Sequence, residues 1–235
     1  MNAKIVATSE RVTLVGGGEI SAGDLELALA HAPVLVAADS GADVALTQGH
    51  VPQAVIGDFD SLSDATRRRI PPRQLHHIAE QDSTDFDKAL RSIDAPLVIA
   101  VGFLGARVDH QLAVFNVLVR RAGSPCVLLG AEEVIFAAPR QVALPTQDGD
   151  TVSLFPMREA TGRSTGLAWP IDGLHMSPWG RVGTSNRATG PVTLDFDGAV
   201  EAPFGEPGEP GMLVILPRRR LEGVLTALTC PPPGP

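Results

Sequence analysis

The sequence predicts an α/β fold built on a mostly parallel sheet with flanking helices, followed by an antiparallel β domain. Three observations predict it. Up to about residue 138, short apolar runs alternate with helix-compatible stretches, the pattern of parallel strands joined by crossover helices. After Pro139 the chain is rich in Gly, Pro and Thr, and strand-like runs are separated by Gly or Pro turns. Polar clusters also recur directly after the apolar runs of the first part, where a parallel sheet opens its ligand crevice.

Val12 to Val15 reads as the first strand and leads into Gly16, Gly17 and Gly18, after which about Ser21 to Ala30 suits a helix. Such a loop can present amides to a phosphate. It lacks the lysine of a P-loop and the spacing of a dinucleotide fingerprint, so a plain tight turn stands beside that reading. Val34 to Ala37 is a second buried strand, with Asp39 at its exit. Asp43 to Gln48 suits a short helix stopped by Gly49, and Pro52 precedes a third strand at Ala54 to Ile56.

Ser63 or Asp64 caps a helix through Arg69, which Pro71 and Pro72 end, and Leu75 to Ile78 reads as a brief strand. A helix from Asp82 or Ser83 to about Ile93 places Phe86, Leu90 and Ile93 on one apolar face. Leu97 to Val101 is the next strand. Val108 to Arg121 is a helix in which Leu112, Phe115 and Val119 share a face, and Cys126 to Leu129 is a further strand. In the second part, Val142 to Leu144, Thr151 to Phe155, Val192 to Phe196 and Met212 to Leu216 read as strands, with no useful helix pattern before Leu221. Pro231 to Pro235 carries too little apolar content to pack and is expected to be disordered.

The 235 residues suffice for one large domain or two small ones, and the composition shift favours two, 1–138 and 139–235. The formal charge of -8 argues against non-specific nucleic-acid binding, which needs a basic excess. It leaves room for an anionic small molecule held through a metal and a few cations. Cys126 and Cys230 make no zinc pattern and read as free thiols in a reducing cytoplasm. Glu10 and Arg11 interrupt the N-terminus before a signal-peptide apolar region develops. No apolar run approaches the roughly 20 residues that cross a bilayer, so the sequence predicts a soluble, cytoplasmic protein with no membrane partner.

The chemistry concentrates after the third strand, in Gly57, Asp58, Phe59, Asp60 and Ser61. In an extended chain residues i and i+2 point the same way, so Asp58 and Asp60 can offer oxygens to one hard cation. Gly57 would let a ligand approach the backbone. Alone, the pair is equally an acidic loop. More acid lies in Asp82 to Lys88 at a helix start, and Gly102 to His110 brings Arg107, Asp109 and His110 after another apolar run. Three such clusters are hard to ascribe to solvated surface. Lys88 either offsets the acids, reaches a phosphate or makes a simple i,i+3 ion pair. A guanidinium holds two phosphate oxygens in a planar fork, which suits Arg107, with a surface salt bridge as the plainer role.

In this order, Asp39-Ser40-Gly41-Ala42, Gly57 to Ser61, Asp82 to Asp85 with Lys88, Gly102 to His110, and Gly183-Thr184-Ser185-Asn186 resemble the motifs of the thiamine pyrophosphokinase (thiamin diphosphokinase) family, over most of the chain. The resemblance implies an N-terminal nucleotide-binding α/β domain, a C-terminal β-sandwich, and a homodimer with active sites at the subunit interface. It implies transfer of a diphosphate from ATP to the primary hydroxyl of thiamine, giving thiamine diphosphate and AMP, with Mg²⁺ as cofactor.

On that resemblance Asp58, Asp60 and Asp85 are metal ligands, while Asp39, Gly41, Lys88 and Arg107 serve ATP. Asp109 orients the substrate hydroxyl or accepts its proton. Gln81, Ser185 and Asn186 face thiamine, the last two from a glycine-led turn contributed across the dimer interface. His110 reads as structural, and Trp169 and Trp179 as either core or stacking rings. Two positions depart from the family pattern: Arg187 stands where many members carry an acid, and Trp169 replaces a common tyrosine before Pro170. Two alternatives stay open. One is a diphosphokinase of the same fold acting on another hydroxymethyl heterocycle such as a pterin; the other is a non-catalytic nucleotide or thiamine-diphosphate sensor.

Overall fold

The computed structural model describes residues 4–105, 107–197 and 209–230. The fold is mixed α/β, and the chain divides into two compact units. The first holds the chain up to Val117 with Leu128–Ala131, and the second holds Leu118–Val127 with the chain from Glu132 onward. The tail expected to be disordered, Pro231 to Pro235, lies outside the described residues.

The first unit runs β1 (Val6–Ala7), β2 (Val12–Val15), α1 (Asp24–His31), β3 (Val34–Ala38), α2 (Gly41–Thr47), β4 (Ala54–Gly57), α3 (Asp64–Arg69), β5 (Leu75–His77), α4 (Asp85–Ser92), β6 (Ile93–Asp94), β7 (Val98–Val101) and α5 (Val108–Arg120), whose last turn passes into the second unit. Its strands lie in the order β7-β2-β3-β4-β5, all parallel, while β1 and β6 form a separate short pair. Every residue of β2, β4 and β7 is buried, as the unbroken Val, Ile, Leu and Ala content requires of a parallel sheet covered on both faces. The polar exception, Thr13, donates its hydroxyl to the Ala32 carbonyl at 2.6 Å.

The chain steps outward from β2 through β3, β4 and β5, then returns to the other side of β2 with β7. Strand order therefore reverses at β2, and loops leaving a reversal point diverge and open a crevice. Here α2 begins hard against the end of β2: a Cβ on Gly41 would lie 2.1 Å from the Val15 carbonyl oxygen, so only glycine lets the two backbones meet.

Helix α4 is fixed at its start by Thr84, whose side chain accepts the Asp87 N–H at 3.3 Å, and by acids in its first turn. Phe86 and Leu90 are buried as the periodicity predicts. Ile93 is buried too, but in strand β6, because the helix stops at Ser92. Helix α5 departs from expectation. Its buried residues are Val114, Val117 and Leu118, whereas Leu112 is 58% exposed and Phe115 and Val119 are half-buried. The helix carries two neighbouring apolar stripes, and the fold uses the one that periodicity alone did not single out.

Strand β8 (Cys126–Leu129) is shared between the units. The second unit continues with β9 (Glu133–Ala137), β10 (Gln141–Leu144), β11 (Thr151–Pro156), β12 (Gly162–Leu167), β13 (Gly183–Phe196), β14 (Met212–Pro217) and α6 (Leu221–Thr229). Its ladders are antiparallel, in the order β10-β13-β11-β14-β9, with β12 also on β13. The long strand β13 starts at Gly183 rather than Val192, so the segment read as a polar turn is strand. Its buried residues alternate with exposed ones, which accounts for the polar sequence: only one face needs to be apolar. Sequence reading also passed over β9 and the polar β12. Among the described residues no helix is long and apolar enough to cross a membrane.

Replacing Gly41 by alanine forces α2 away from β2, and urea denaturation is expected to register a loss of about 1–3 kcal/mol.

Candidate active site in the first unit

A cavity of about 390 Å³ opens at the reversal point. The loop after β2 (Gly16–Gly18), the loop after β3 (Asp39, Ser40) and the loop after β7 (Gly102–Gly105) line it, with Thr84 and Asp85 from the start of α4. Phe86 and Phe103, whose ring centroids are 4.7 Å apart, supply an apolar wall. The Gly16 and Gly18 amides already donate to the Val101 and Gly102 carbonyls, each at 2.9 Å. The glycine loop is thus zipped to its neighbour, and these two amides are not free for a phosphate.

Beside the cavity, Asp39, Asp58 and Asp60 bring one carboxylate oxygen each to within 4.8 Å of one another. Register explains the meeting. Ala38 pairs with Ile56, and the Asp39 N–H donates to the Ile56 carbonyl at 3.0 Å, so β3 and β4 end level. Gly57 matters for a different reason from the one its sequence position suggests. A Cβ there would lie 2.9 Å from the Asp39 Cβ and 3.2 Å from Asp85 Oδ1, so glycine lets the carboxylates crowd together. Nor does an extended chain align Asp58 with Asp60. Phe59 sits at φ 65°, a left-handed turn, and the Asp60 N–H folds back onto Asp58 Oδ1 at 3.3 Å.

Lys88 is the organising cation. Its side chain is 1% exposed, and its ammonium donates to Asp58 Oδ2 at 2.7 Å and Asp85 Oδ1 at 3.1 Å. Burial alone would lower its pKa, but the bonds to Asp58 and Asp85 carry it above the ordinary value. The same contact with Lys88 holds the Asp58 carboxyl below the usual range. Asp39 behaves in the opposite way. Burial, then repulsion from Asp85, Asp60 and Asp58, pushes its pKa up to about 6, against one bond from the Ser61 N–H at 3.2 Å. Its other oxygen, Oδ1, is buried with no hydrogen-bond partner among the described residues.

An all-oxygen set with a buried unpartnered carboxylate oxygen and residual negative charge fits a hard divalent cation such as Mg²⁺. Asp85 stands next to the trio but shares its Oδ1 with Lys88. Asp39, assigned to the nucleotide side by sequence, both lines the cavity and faces the other acids. Its strand-exit position was visible; its orientation depends on the register with β4. Asp43 was not singled out at all. It accepts from Thr66 Oγ1 at 2.7 Å and from the hydroxyl and backbone N–H of Ser63, anchoring the end of the acidic loop to α2.

Gln81 comes to the same place, with Nε2 3.4 Å from Asp58 Oδ2. Arg107 and His110 line the cavity. The Arg107 guanidinium forks onto Asp109, with Nη2 to Oδ2 at 2.7 Å and Nε to Oδ1 at 3.2 Å, and both side chains are well exposed. The contact with Arg107 holds the Asp109 carboxyl below its ordinary range, which suits it to orient a neighbour and makes it a poor proton acceptor.

The remaining predicted residues lie in the second unit. Ser185, at φ 58°, is exposed, and its N–H donates to Ser153 Oγ at 2.9 Å. Asn186 is buried and its amide is fully engaged: Oδ1 accepts from the Trp169 N–H at 3.2 Å, and Nδ2 donates to the Trp169 carbonyl at 2.6 Å. Asn186 therefore positions Trp169, which is 62% exposed and lines a cavity of about 180 Å³ with Pro170, Met176, Arg181 and Thr184.

Comparison with known proteins gives one consistent likeness. Residues 25–128 match a family model described as the catalytic domain of thiamin pyrophosphokinase, and residues 140–200 match its vitamin B1 binding domain. The chain is 29% identical over 168 residues to thiamine pyrophosphokinase 1 of rice, Oryza sativa subsp. japonica, covering 62% of this chain and 64% of the rice protein. It thus spans a little under two thirds of that relative. Solved structures share the fold: thiamin pyrophosphokinase from Candida albicans at TM-score 0.68, 14% identity and 92% coverage of both chains, and thiamine pyrophosphokinase from Bacillus subtilis at TM-score 0.67, 22% identity, covering 88% of this chain and 98% of that one.

Burial of Asp39, with the charge crowding beside it, has a measurable sign. Its folded pKa of about 6 exceeds the usual 3.8, so the folded state binds more protons between those values and stability contributed by this group falls as pH rises through the window. In divalent-free buffer, the stability of the native chain relative to Asp39→Asn is expected to drop by about 2–3 kcal/mol between roughly pH 4 and pH 6, measured by urea unfolding.

Proposed function

Because the chain belongs to the thiamin pyrophosphokinase family, we propose that it transfers a diphosphate group from ATP to the primary hydroxyl of thiamine, giving thiamine diphosphate and AMP. One observation carries the reading: the acidic trio with its unpartnered Asp39 oxygen adjoins a cavity at the strand-order reversal, where an α/β sheet receives a nucleotide. The match of residues 140–200 to a vitamin B1 binding domain favours thiamine over a pterin as acceptor. Retention of all the carboxylates and Arg107 favours an enzyme over a sensor.

Asp39, Asp58 and Asp60, with Asp85 beside them, would hold Mg²⁺. When bound, the ion supplies a hard positive charge that shields phosphate oxygens and makes the β-phosphorus more open to attack. Lys88 holds the Asp58 carboxyl in its ionised form and orients both Asp58 and Asp85 before any ligand arrives. Arg107 exchanges its exposed pairing with Asp109 for phosphate oxygens presented in the same planar geometry. The thiamine oxygen bonds to the β-phosphorus, the bond from that phosphorus to the oxygen bridging to the α-phosphate breaks, and AMP leaves with the hydroxyl proton released. Such transfers depend on positioning and charge more than on a strong base, consistent with the depressed Asp109 pKa. Gln81 and Ser185 remain acceptor-side residues in this reading, and Asn186 acts by presenting the Trp169 ring to a flat heterocycle.

The reading includes a homodimer. Val108 and Leu112 are 72% and 58% exposed on α5, and with half-buried Phe115 and Val119 they form an apolar stripe suited to cover by a second copy. It also includes a C-terminal β-sandwich, supported by the way β13 serves one ladder with residues 183–187 and others further along. A cytoplasmic setting accords with two free cysteines and with ATP as donor.

Purified protein with ATP, Mg²⁺ and thiamine is expected to yield AMP and thiamine diphosphate by chromatography. AMP formed only with a pterin alcohol would overturn the acceptor, and binding without turnover would favour a sensor. Asp60→Asn, at an exposed position, should lower kcat by at least about 100-fold with little change in unfolding midpoint. Leu112→Glu should shift the species seen by sedimentation velocity from dimer to monomer.

A further inference from the structure

We infer that Phe59, between the two acids of the loop after β4, is a positioning residue whose ring clamps the turn that aims Asp58 and Asp60. The inference rests on the reading of those carboxylates as metal-holding. Phe59 adopts φ 65°, a conformation that a bulky side chain rarely takes and that glycine takes freely. A phenylalanine persists there only where its surroundings over-determine it. They do so through one ring. Phe59 is 8% exposed, its centroid lies 5.5 Å from the His77 ring on β5, and the Arg67 guanidinium of α3 sits 5.7 Å from that centroid. The loop, α3 and β5 therefore meet on a single side chain.

The backbone pins of this loop all lie on the C-terminal side of Phe59 or reach across it: Ser61 N–H to Asp39, Ser63 to Asp43, and Asp60 N–H to Asp58. Of these, only the exposed bond from the Asp60 N–H to Asp58, at 3.3 Å, spans residue 59 and restrains its φ. Strand β4 ends extended at Gly57, and an extended continuation would carry Asp60 away from its bond with Asp58. The ring, held between an imidazole and a cation, keeps the chain in the turned state. Phe59 thus acts on the site through its two neighbours and touches no reacting atom.

The test is Mn²⁺ binding, followed by the electron paramagnetic resonance of free Mn²⁺ titrated with the metal-free protein, without nucleotide or thiamine. Asp58→Asn should remove binding. Phe59→Ala should weaken it at least about tenfold, as loss of groups that orient metal ligands does. Phe59→Gly should be weakened too, because freedom to adopt the turn is not the same as being held in it. Phe59→Tyr keeps the ring and should stay within about twofold. Arg67→Ala, on an exposed residue whose loss spares the core, should weaken binding about threefold through the lost cation–ring contact. Native-like affinity in folded Phe59→Ala or in Phe59→Gly, alongside loss in Asp58→Asn, overturns the clamp and leaves the metal reading intact. If Phe59→Ala does not fold, native-like affinity in Arg67→Ala overturns it instead. Native-like affinity in Asp58→Asn overturns the metal reading, and the clamp falls with it.

Discussion

The structure of the site depends on the buried ammonium of Lys88. An ammonium removed from water is costly by several kcal/mol unless opposite charge meets it. Lys88 is met twice, by Asp58 from the exit of β4 and by Asp85 from the first turn of α4. The lysine thereby ties a strand end to a helix start and sets where two of the carboxylates lie. Yet it does not neutralise the place: four carboxylates, Asp39, Asp58, Asp60 and Asp85, against one ammonium leave a formal excess of three negative charges. Burial first, and then that excess, raise the pKa of Asp39. Three further ammonium groups would be needed to close the cluster as a neutral ion network. With one, the cluster is held in shape and left short of positive charge, which is the condition for receiving a divalent ion.

Topology decides that this shortage falls beside a cavity. At the reversal of strand order the loops after β2, β3 and β7 surround a cavity, and the level ends of β3 and β4 bring Asp39 to Asp58 beside it. Glycine is needed where these pieces touch, at Gly41 for backbone approach and at Gly57 for carboxylate crowding. The glycine loop at residues 16–18 resembles a phosphate cradle by composition only, since two of its amides are committed to β7 and the residue after it. On the proposed function, recognition of phosphate would then fall to side chains and to a bound cation.

What the sequence reveals follows from how local the governing physics is. Strands such as Val12–Val15 and Ala54–Gly57 lie where their apolar runs lie, because burial on both faces leaves a local mark. The Phe86 and Leu90 face of α4 is legible for the same reason, whereas its start lies at Asp85 with Thr84 as cap, beyond the Asp82 or Ser83 that the sequence suggests. Helix α5 is not, because two adjacent apolar stripes fit the same periodicity and only tertiary packing chooses Val114, Val117 and Leu118. The polar start of β13 looked like a turn because a half-exposed strand needs few apolar residues. The acids at 58 and 60 could be named from spacing and Asp85 from the family resemblance, whereas the inward aim of Asp39 depends on inter-strand register. The left-handed turn at Phe59 contradicts the preference of its own residue type, so no local rule could have found it.

On the proposed function, an acidic chain that takes an anionic donor must find positive charge where the phosphates go, without burying a charge that lacks a partner when the site is vacant. Arg107 meets both demands through its resting partner. Its fork on Asp109 is exposed, so water screens the pair and little is lost when it parts. A phosphate chain offers the guanidinium the same two-oxygen geometry with greater charge, and a cation at the neighbouring acids would lessen the repulsion between those acids and the incoming phosphates. The buried pairing of Lys88 cannot play this part, because parting it would leave a buried ammonium without its partners. The two cations thus divide the work by burial: Lys88 is fixed and keeps the acids in place, and Arg107 is free to exchange one anionic partner for another.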